Sequence, residues 1–159
     1  MDTTFILIRH AQAEDVIGKP DLHRALTGKG LLQVRMLRPK LASLVKKAVL
    51  GVHSTAIRSI QTMQWLTGGN NNFQYLAHLG LYSADQEQLK AIIADMHLDA
   101  QTKKIKTVLL IGHNPALSQF AAEVSNFAVQ DLGTCEGIVF KVCSSIKGES
   151  IQFKYLNSL

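Results

Sequence analysis

The sequence predicts an α/β fold: a three-layer αβα sandwich with a mostly parallel central sheet, an antiparallel hairpin at the sheet edge, and helices on both faces. Three observations predict it. Thr4-Phe5-Ile6-Leu7-Ile8 and Thr107-Val108-Leu109-Leu110-Ile111 have the unbroken β-branched hydrophobicity of strands buried on both faces. Segments with apolar residues at three- and four-residue spacing alternate with the strands, as in βαβ units. Near the end, Gly137 to Val142 and Ser150 to Lys154 alternate apolar with polar residues, and Lys147-Gly148 supplies a turn between them.

The elements follow in order. The first strand ends abruptly in Arg9-His10. After a polar loop, Thr27 can cap a helix reaching about Lys46, with Leu31, Val34, Leu37, Leu41 and Leu44 inward and Pro39 expected to kink or divide it. Ala48 to Val52 reads as a second strand. Ser54-Thr55 then open a helix carrying Ile57, Ile60, Met63, Trp65 and Leu66, which the Gly68-Gly69-Asn70-Asn71-Asn72 run ends. Phe73 to Leu76 is a short strand, and Ser83-Ala84-Asp85-Gln86 caps a helix from Gln86 to Met96 with Leu89, Ile92, Ile93 and Met96 inside. After the strand Thr107 to Ile111, Pro115 suits the first turn of a helix reaching about Val124.

A length of 159 residues fits a single domain spanning 1–159. Apolar residues make up 47% and charged residues 18%, which excludes disordered and fibrous classes. The apolar runs fall far short of the roughly 20 residues of a membrane helix, and the start, Met1-Asp2-Thr3-Thr4, has no secretory pattern. A soluble, cytoplasmic protein is expected, with no membrane partner. Cys135 and Cys143, eight positions apart, match neither a disulfide framework nor a metal pair and read as buried inert thiols. The net charge of +5 favours anionic partners. Lys103-Lys104 and Lys106 carry no interleaved aromatics, so they read as a solvated loop and not a nucleic-acid contact.

In parallel sheets, ligands sit beyond the carboxyl ends of the strands. Three strand ends here carry unusual polar residues: Arg9-His10, His53-Ser54 leading to Arg58, and His113-Asn114. Two arginines and two histidines beside helix amino termini suit a tetrahedral dianion, because guanidinium forks match phosphate oxygens. A neutral histidine is also a nucleophile, and Arg9 and Arg58 disfavour the imidazolium of His10. Asn114 joins Arg9, Arg58 and His113 as a candidate phosphate-binding residue. His23, His53, His78 and His97 have no motif around them, no close His and carboxylate spacing suggests zinc, and Gly28 and Gly30 belong to no nucleotide-binding loop.

These residues resemble the histidine phosphatase superfamily, also called phosphoglycerate-mutase-like, and within it the SixA-type phosphohistidine phosphatases. The resemblance covers nearly the whole chain. Ile8-Arg9-His10-Ala11-Gln12-Ala13-Glu14 is similar to the R-H-A-x-A-E opening motif, with Ala in place of the glycine of the wider R-H-G signature. Arg24-Ala25-Leu26-Thr27-Gly28-Lys29-Gly30 resembles R-x-L-T-x-x-G. Ser54 to Thr62 resembles S-x-x-x-R-A-x-Q-T with Ser59 replacing the usual Ala. Leu79-Gly80-Leu81-Tyr82 and Ile111-Gly112-His113-Asn114-Pro115 complete the order.

The resemblance implies a phosphorylated His10 intermediate, phosphate held by Arg9, Arg58 and His113, and hydrolysis by water with neither metal nor other cofactor. Many superfamily members also place a carboxylate after the third strand to protonate an alkoxide, and Ala77 to Tyr82 contains none. Asp85 and Glu14 are the nearby candidates for a proton donor. Imidazole is a far better leaving group than an alkoxide, so the missing acid and the lack of any long lid insertion favour a phosphohistidine protein as substrate. A small-molecule phosphomonoester phosphatase or mutase is the alternative, and a non-catalytic phosphoprotein-binding module the third reading. A monomer is expected.

Overall fold

The computed structural model describes residues 2–45, 47–142 and 153–157. Its strands are β1 (Thr3–Arg9), β2 (Val49–His53), β3 (Phe73–Ala77), β4 (Thr107–Gly112), β5 (Gly137–Val142) and β6 (Phe153–Leu156). They form one sheet in the order β3-β2-β4-β1-β5-β6. The pairs β1–β4, β2–β4 and β2–β3 are parallel, whereas β1–β5 and β5–β6 are antiparallel. The expected edge hairpin is present as the β5–β6 pair. Its expected turn at Lys147-Gly148, and Cys143, lie outside the described residues.

Helices α1 (Gly28–Leu44), α2 (Ile57–Thr67), α3 (Gln86–Thr102) and α4 (Ala116–Val124) cover the sheet. Alternate strand residues point to opposite faces, so Phe5, Leu7, Val108 and Leu110 pack against α3 and α4. Ile6, Ile8, Leu109 and Ile111 pack against α1 and α2. The two cores make the αβα sandwich that the sequence predicts.

Local differences have physical causes. Helix α1 runs undivided through Pro39, with Val34, Leu37 and Leu41 holding its buried stripe against the sheet. Helix α3 extends six residues beyond Met96, where Ala100 is buried and His97 Nδ1 meets Thr3 Oγ1 at 2.9 Å. Helix α2 buries Ser59, Thr62, Met63 and Leu66, and Trp65 faces outward, half exposed. It ends at Gly68 in the left-handed conformation (φ +59°), where a side chain would also strike Arg38. Lys103 pairs with Asp99 at the end of α3. Among the described residues no helix is long and apolar enough to cross a membrane.

Candidate functional site

The central parallel pair builds the floor of the site. Arg9 is in register with Gly112, and the next amide, His10 N–H, donates to Gly112 O at 3.1 Å. Ser54 N–H, one residue past β2, donates to Ile111 O at 3.3 Å. Three adjacent strand ends therefore place His10, Ser54 and His113 side by side. The rings of His10 and His113 have centroids 5.0 Å apart.

His10 leaves its strand into a loop held from both sides. Ala11 N–H donates to Thr62 Oγ1, Gln12 N–H to Gln33 Oε1, and Cys135 N–H to the carbonyls of Arg9 and His10. Gly30 lets the start of α1 approach this loop closely, since a Cβ there would lie 2.1 Å from Gln12 O. The ring itself is oriented by its neighbour: His10 Nδ1 lies 2.8 Å from Ala11 O. A carbonyl only accepts, so Nδ1 carries the proton and Nε2 presents a lone pair. Arg58 Nε–H points at that lone pair from 3.2 Å. Burial is the largest influence on the ring and lowers its pKa to about 4; the Ala11 bond opposes this, and Arg58 and Arg9 add to it. Burial, ahead of the arginines, is the main cause that disfavours the imidazolium of His10.

His113 is neutral for the same first reason, its pKa lowered by burial to about 3, with His10 and Arg58 next. Its Nε2 lies 2.5 Å from Ser54 Oγ and 3.3 Å from Ser59 Oγ, and its Nδ1 lies 3.5 Å from Arg58 Nη2. The sequence places Ser54 at the opening of α2, but the cap position is Ala56 and makes no side-chain bond. The Ser54 hydroxyl instead serves a nitrogen of the partly buried His113 ring.

Arg58, 5% exposed, donates from Nη1 to Asp21 O at 2.6 Å and from Nη2 to Asp21 Oδ2 at 2.8 Å. Asp21 sits on a 3-10 turn, Asp21–His23, that buries no residue. Its carboxylate also accepts from Tyr82 Oη at 2.6 Å and Arg24 Nη1 at 2.9 Å. Those bonds, Tyr82 first, hold it well below the ordinary carboxylate range. Tyr82 in turn meets His113 edge-on at 5.5 Å. Sequence reasoning passed over Asp21 and gave Tyr82 no role beyond its motif; the local signal for Asp21 was its three-residue spacing from Arg24.

Arg9 donates from Nη1 to Leu132 O at 2.8 Å, while its buried Nε has no hydrogen-bond partner among the described residues. The Asn114 side chain braces the neighbouring loop. Its amide donates to Asp131 and Leu132 O, and its Oδ1 accepts from Ser118. A groove of about 630 Å³ opens beside it, lined by Pro115, Ser118, Gln119 and Phe127. The two candidate proton donors are engaged elsewhere. Asp85 caps α3 in a reciprocal box with Gln88. Glu14 accepts from Ala25 N–H and pairs with Lys19, and these bonds lower its pKa. Cys135 is buried, which pushes its thiol up to about 12. Among the described residues no group of three or more His, Cys, Asp or Glu is placed to hold a metal ion.

Neither a protein-family model nor a curated protein sequence matches the chain. Solved structures do. The protein named phosphohistidine phosphatase SixA from Agrobacterium tumefaciens is 26% identical, with 87% of this chain and 90% of that chain aligned at a TM-score of 0.74. Its fold is that of the histidine phosphatase superfamily. The histidine phosphatase fold is matched again by the protein histidine phosphatase SixA complexed with tungstate, at 19% identity, 98% and 97% coverage and a TM-score of 0.73. A mycobacterial glucosyl-3-phosphoglycerate phosphatase aligns over 99% of both chains at 12% identity and a TM-score of 0.70. In this histidine phosphatase fold the ends of β1 and β4 carry the two paired histidines.

Proposed function

We propose that the protein is a phosphatase in which Nε2 of His10 attacks phosphorus, and that its substrate is a phosphohistidine in a signalling or phosphotransfer protein. The observation that carries the reading is the oriented neutral ring of His10: Nδ1–H donates to Ala11 O, and Nε2 faces Arg58. As Nε2 bonds to phosphorus, its ring becomes cationic, and the Ala11 carbonyl keeps its bond to the Nδ1–H. Arg9, Arg58 and His113 surround the phosphoryl oxygens. A dianion beside His113 favours its protonated form, so the ring gains a donor as substrate enters. Water then takes the phosphoryl group, and neutral His10 is restored.

The phosphohistidine preference is supported by the engagement of Asp85 and Glu14 away from the histidine pair. An alkyl ester needs its leaving oxygen protonated, a contribution of about 10² to 10⁴ in rate, whereas imidazole leaves readily. The SixA relatives named above support the same class. Rapid quenching with a ³²P-labelled phosphohistidine peptide tests the mechanism: an acid-labile phosphoenzyme should form in the wild type and be lost in His10→Ala. Turnover should persist in EDTA, since Arg and His meet the phosphate charge. Full activity in His10→Ala, or metal-restored loss in EDTA, contradicts this reading.

A further inference from the structure

Transfer from phosphohistidine to His10 moves a phosphoryl group between two imidazoles, so each ring has the same need: an acceptor for the N–H on the nitrogen that does not bear phosphorus. For His10 that acceptor is Ala11 O at 2.8 Å. The substrate ring needs its counterpart farther out, because it must depart on the side of phosphorus opposite His10 Nε2.

Arg58 spans from the nucleophile to Asp21. Its Nε meets the nucleophile, and its outer nitrogens, Nη1 and Nη2, meet Asp21. Asp21 therefore lies one guanidinium width outward of His10, with its side chain 47% exposed at the mouth. A carboxylate has about four acceptor positions. Oδ2 uses two, for Arg58 Nη2 and Tyr82 Oη, and Oδ1 uses one, for Arg24 Nη1. Among the described residues, one position on Oδ1 is left on a carboxylate fixed by three partners.

We propose that Asp21 is a specificity-determining residue whose Oδ1 accepts the N–H of the substrate's phosphoimidazolium, selecting phosphohistidine over alkyl and aryl phosphates. The inference rests on the phosphatase reading above and extends it to the leaving group. In the transfer step the His10 Nε2 lone pair forms a bond to phosphorus. The substrate P–N bond breaks with its electron pair returning to that nitrogen, and the proton at the second ring nitrogen stays there, held by Asp21. The ring departs as neutral imidazole, and Asp21 need neither give nor take a proton. An alkyl or aryl phosphate offers this carboxylate no cation and meets its negative charge instead.

The test compares kcat/KM for a 3-phosphohistidine peptide and for p-nitrophenyl phosphate in wild type, Asp21→Asn and Asp21→Glu. Asp21→Asn should lower the peptide-to-aryl ratio by about 10- to 100-fold, the range of a hydrogen bond to a charged group. Asp21→Glu, which keeps the charge, should hold most of the ratio. In Asp21→Asn the alkaline limb of kcat on the peptide should also move to lower pH, because the bound imidazolium loses its carboxylate. Equal loss on both substrates, an equal fall of the ratio in Asp21→Glu, or an unmoved alkaline limb overturns the role of Asp21, leaving the phosphatase reading intact. A wild type that turns over p-nitrophenyl phosphate but not the peptide overturns the phosphohistidine reading and this inference with it.

Discussion

The Nε–H of Arg58 caps the Nε2 lone pair of His10 at 3.2 Å, so the cation proposed to hold the phosphoryl group also guards the nitrogen proposed to attack it. Phosphate entry must draw Arg58 onto oxygen and release that lone pair. A guanidinium can do both because its three nitrogens reach His10 and Asp21 together.

Arg58→Lys should therefore reduce kcat/KM by about 10²-fold or more, although the charge is kept. An ammonium is a point charge and cannot bond Asp21 and the phosphoryl oxygens together in one plane. Steady-state kinetics on a phosphohistidine peptide check this, and a loss under threefold contradicts it.

The ring of His10 should titrate near 4, below the ordinary 6.5, in an NMR pH titration of the free protein. Burial is the main cause, and the Arg58 charge pushes in the same direction. Arg58→Gln should accordingly raise the midpoint without bringing it to the ordinary value. A wild-type midpoint near 6.5 would contradict the buried, oriented ring.

Stability should fall as acid is added, beginning well above the carboxylate range. In the unfolded chain His10 and His113 take up protons near 6.5, whereas the folded protein resists them down to about 4 and about 3. Between those values the unfolded state binds more protons, so unfolding free energy drops as pH falls. Each ring contributes up to about 1.4 kcal/mol per pH unit. Urea melts from pH 6.5 to 4.5 should show this slope, and His113→Asn should remove about half of it.

Gly30→Ala should destabilise the fold by about 1 to 3 kcal/mol, the usual range for overpacking. The added Cβ would lie 2.1 Å from Gln12 O and push α1 away from the loop that carries His10. Chemical denaturation measures the loss, and activity should fall with it because Ala11 moves too.

Ser54→Ala should lower kcat by about 3- to 10-fold, the worth of one neutral hydrogen bond. It frees the His113 ring from its 2.5 Å partner and leaves Ser59 at 3.3 Å as the remaining hydroxyl. Substrate KM should change less than kcat, because Arg9 and Arg58 stay in place.

The sheet was legible because Phe5–Ile8 and Val108–Ile111 are buried on both faces, and such strands write unbroken apolar runs. Histidines at their ends followed from the same reading. Helix α2 was less legible: its inward face at the site is Arg58, Ser59 and Thr62, polar residues that apolar periodicity does not mark. Asp21 was invisible for a further reason. Tyr82 lies 61 positions away and Arg58 lies 37 away, so its bonds exist only once the chain has folded. Asp85 was legible as part of the cap of α3, and Gln88 three residues later completes that signature.

The central β1–β4 pair also sets a hierarchy of timescales. The amides of His10 and Ser54 are bonded to carbonyls of β4, between two cores, so they should exchange with solvent only when the whole domain opens. The turn bearing Asp21 buries nothing and should exchange through small local openings. The nucleophile would then be as durable as the protein itself, while the mouth can be rewritten by replacing one short surface segment without refolding the rest.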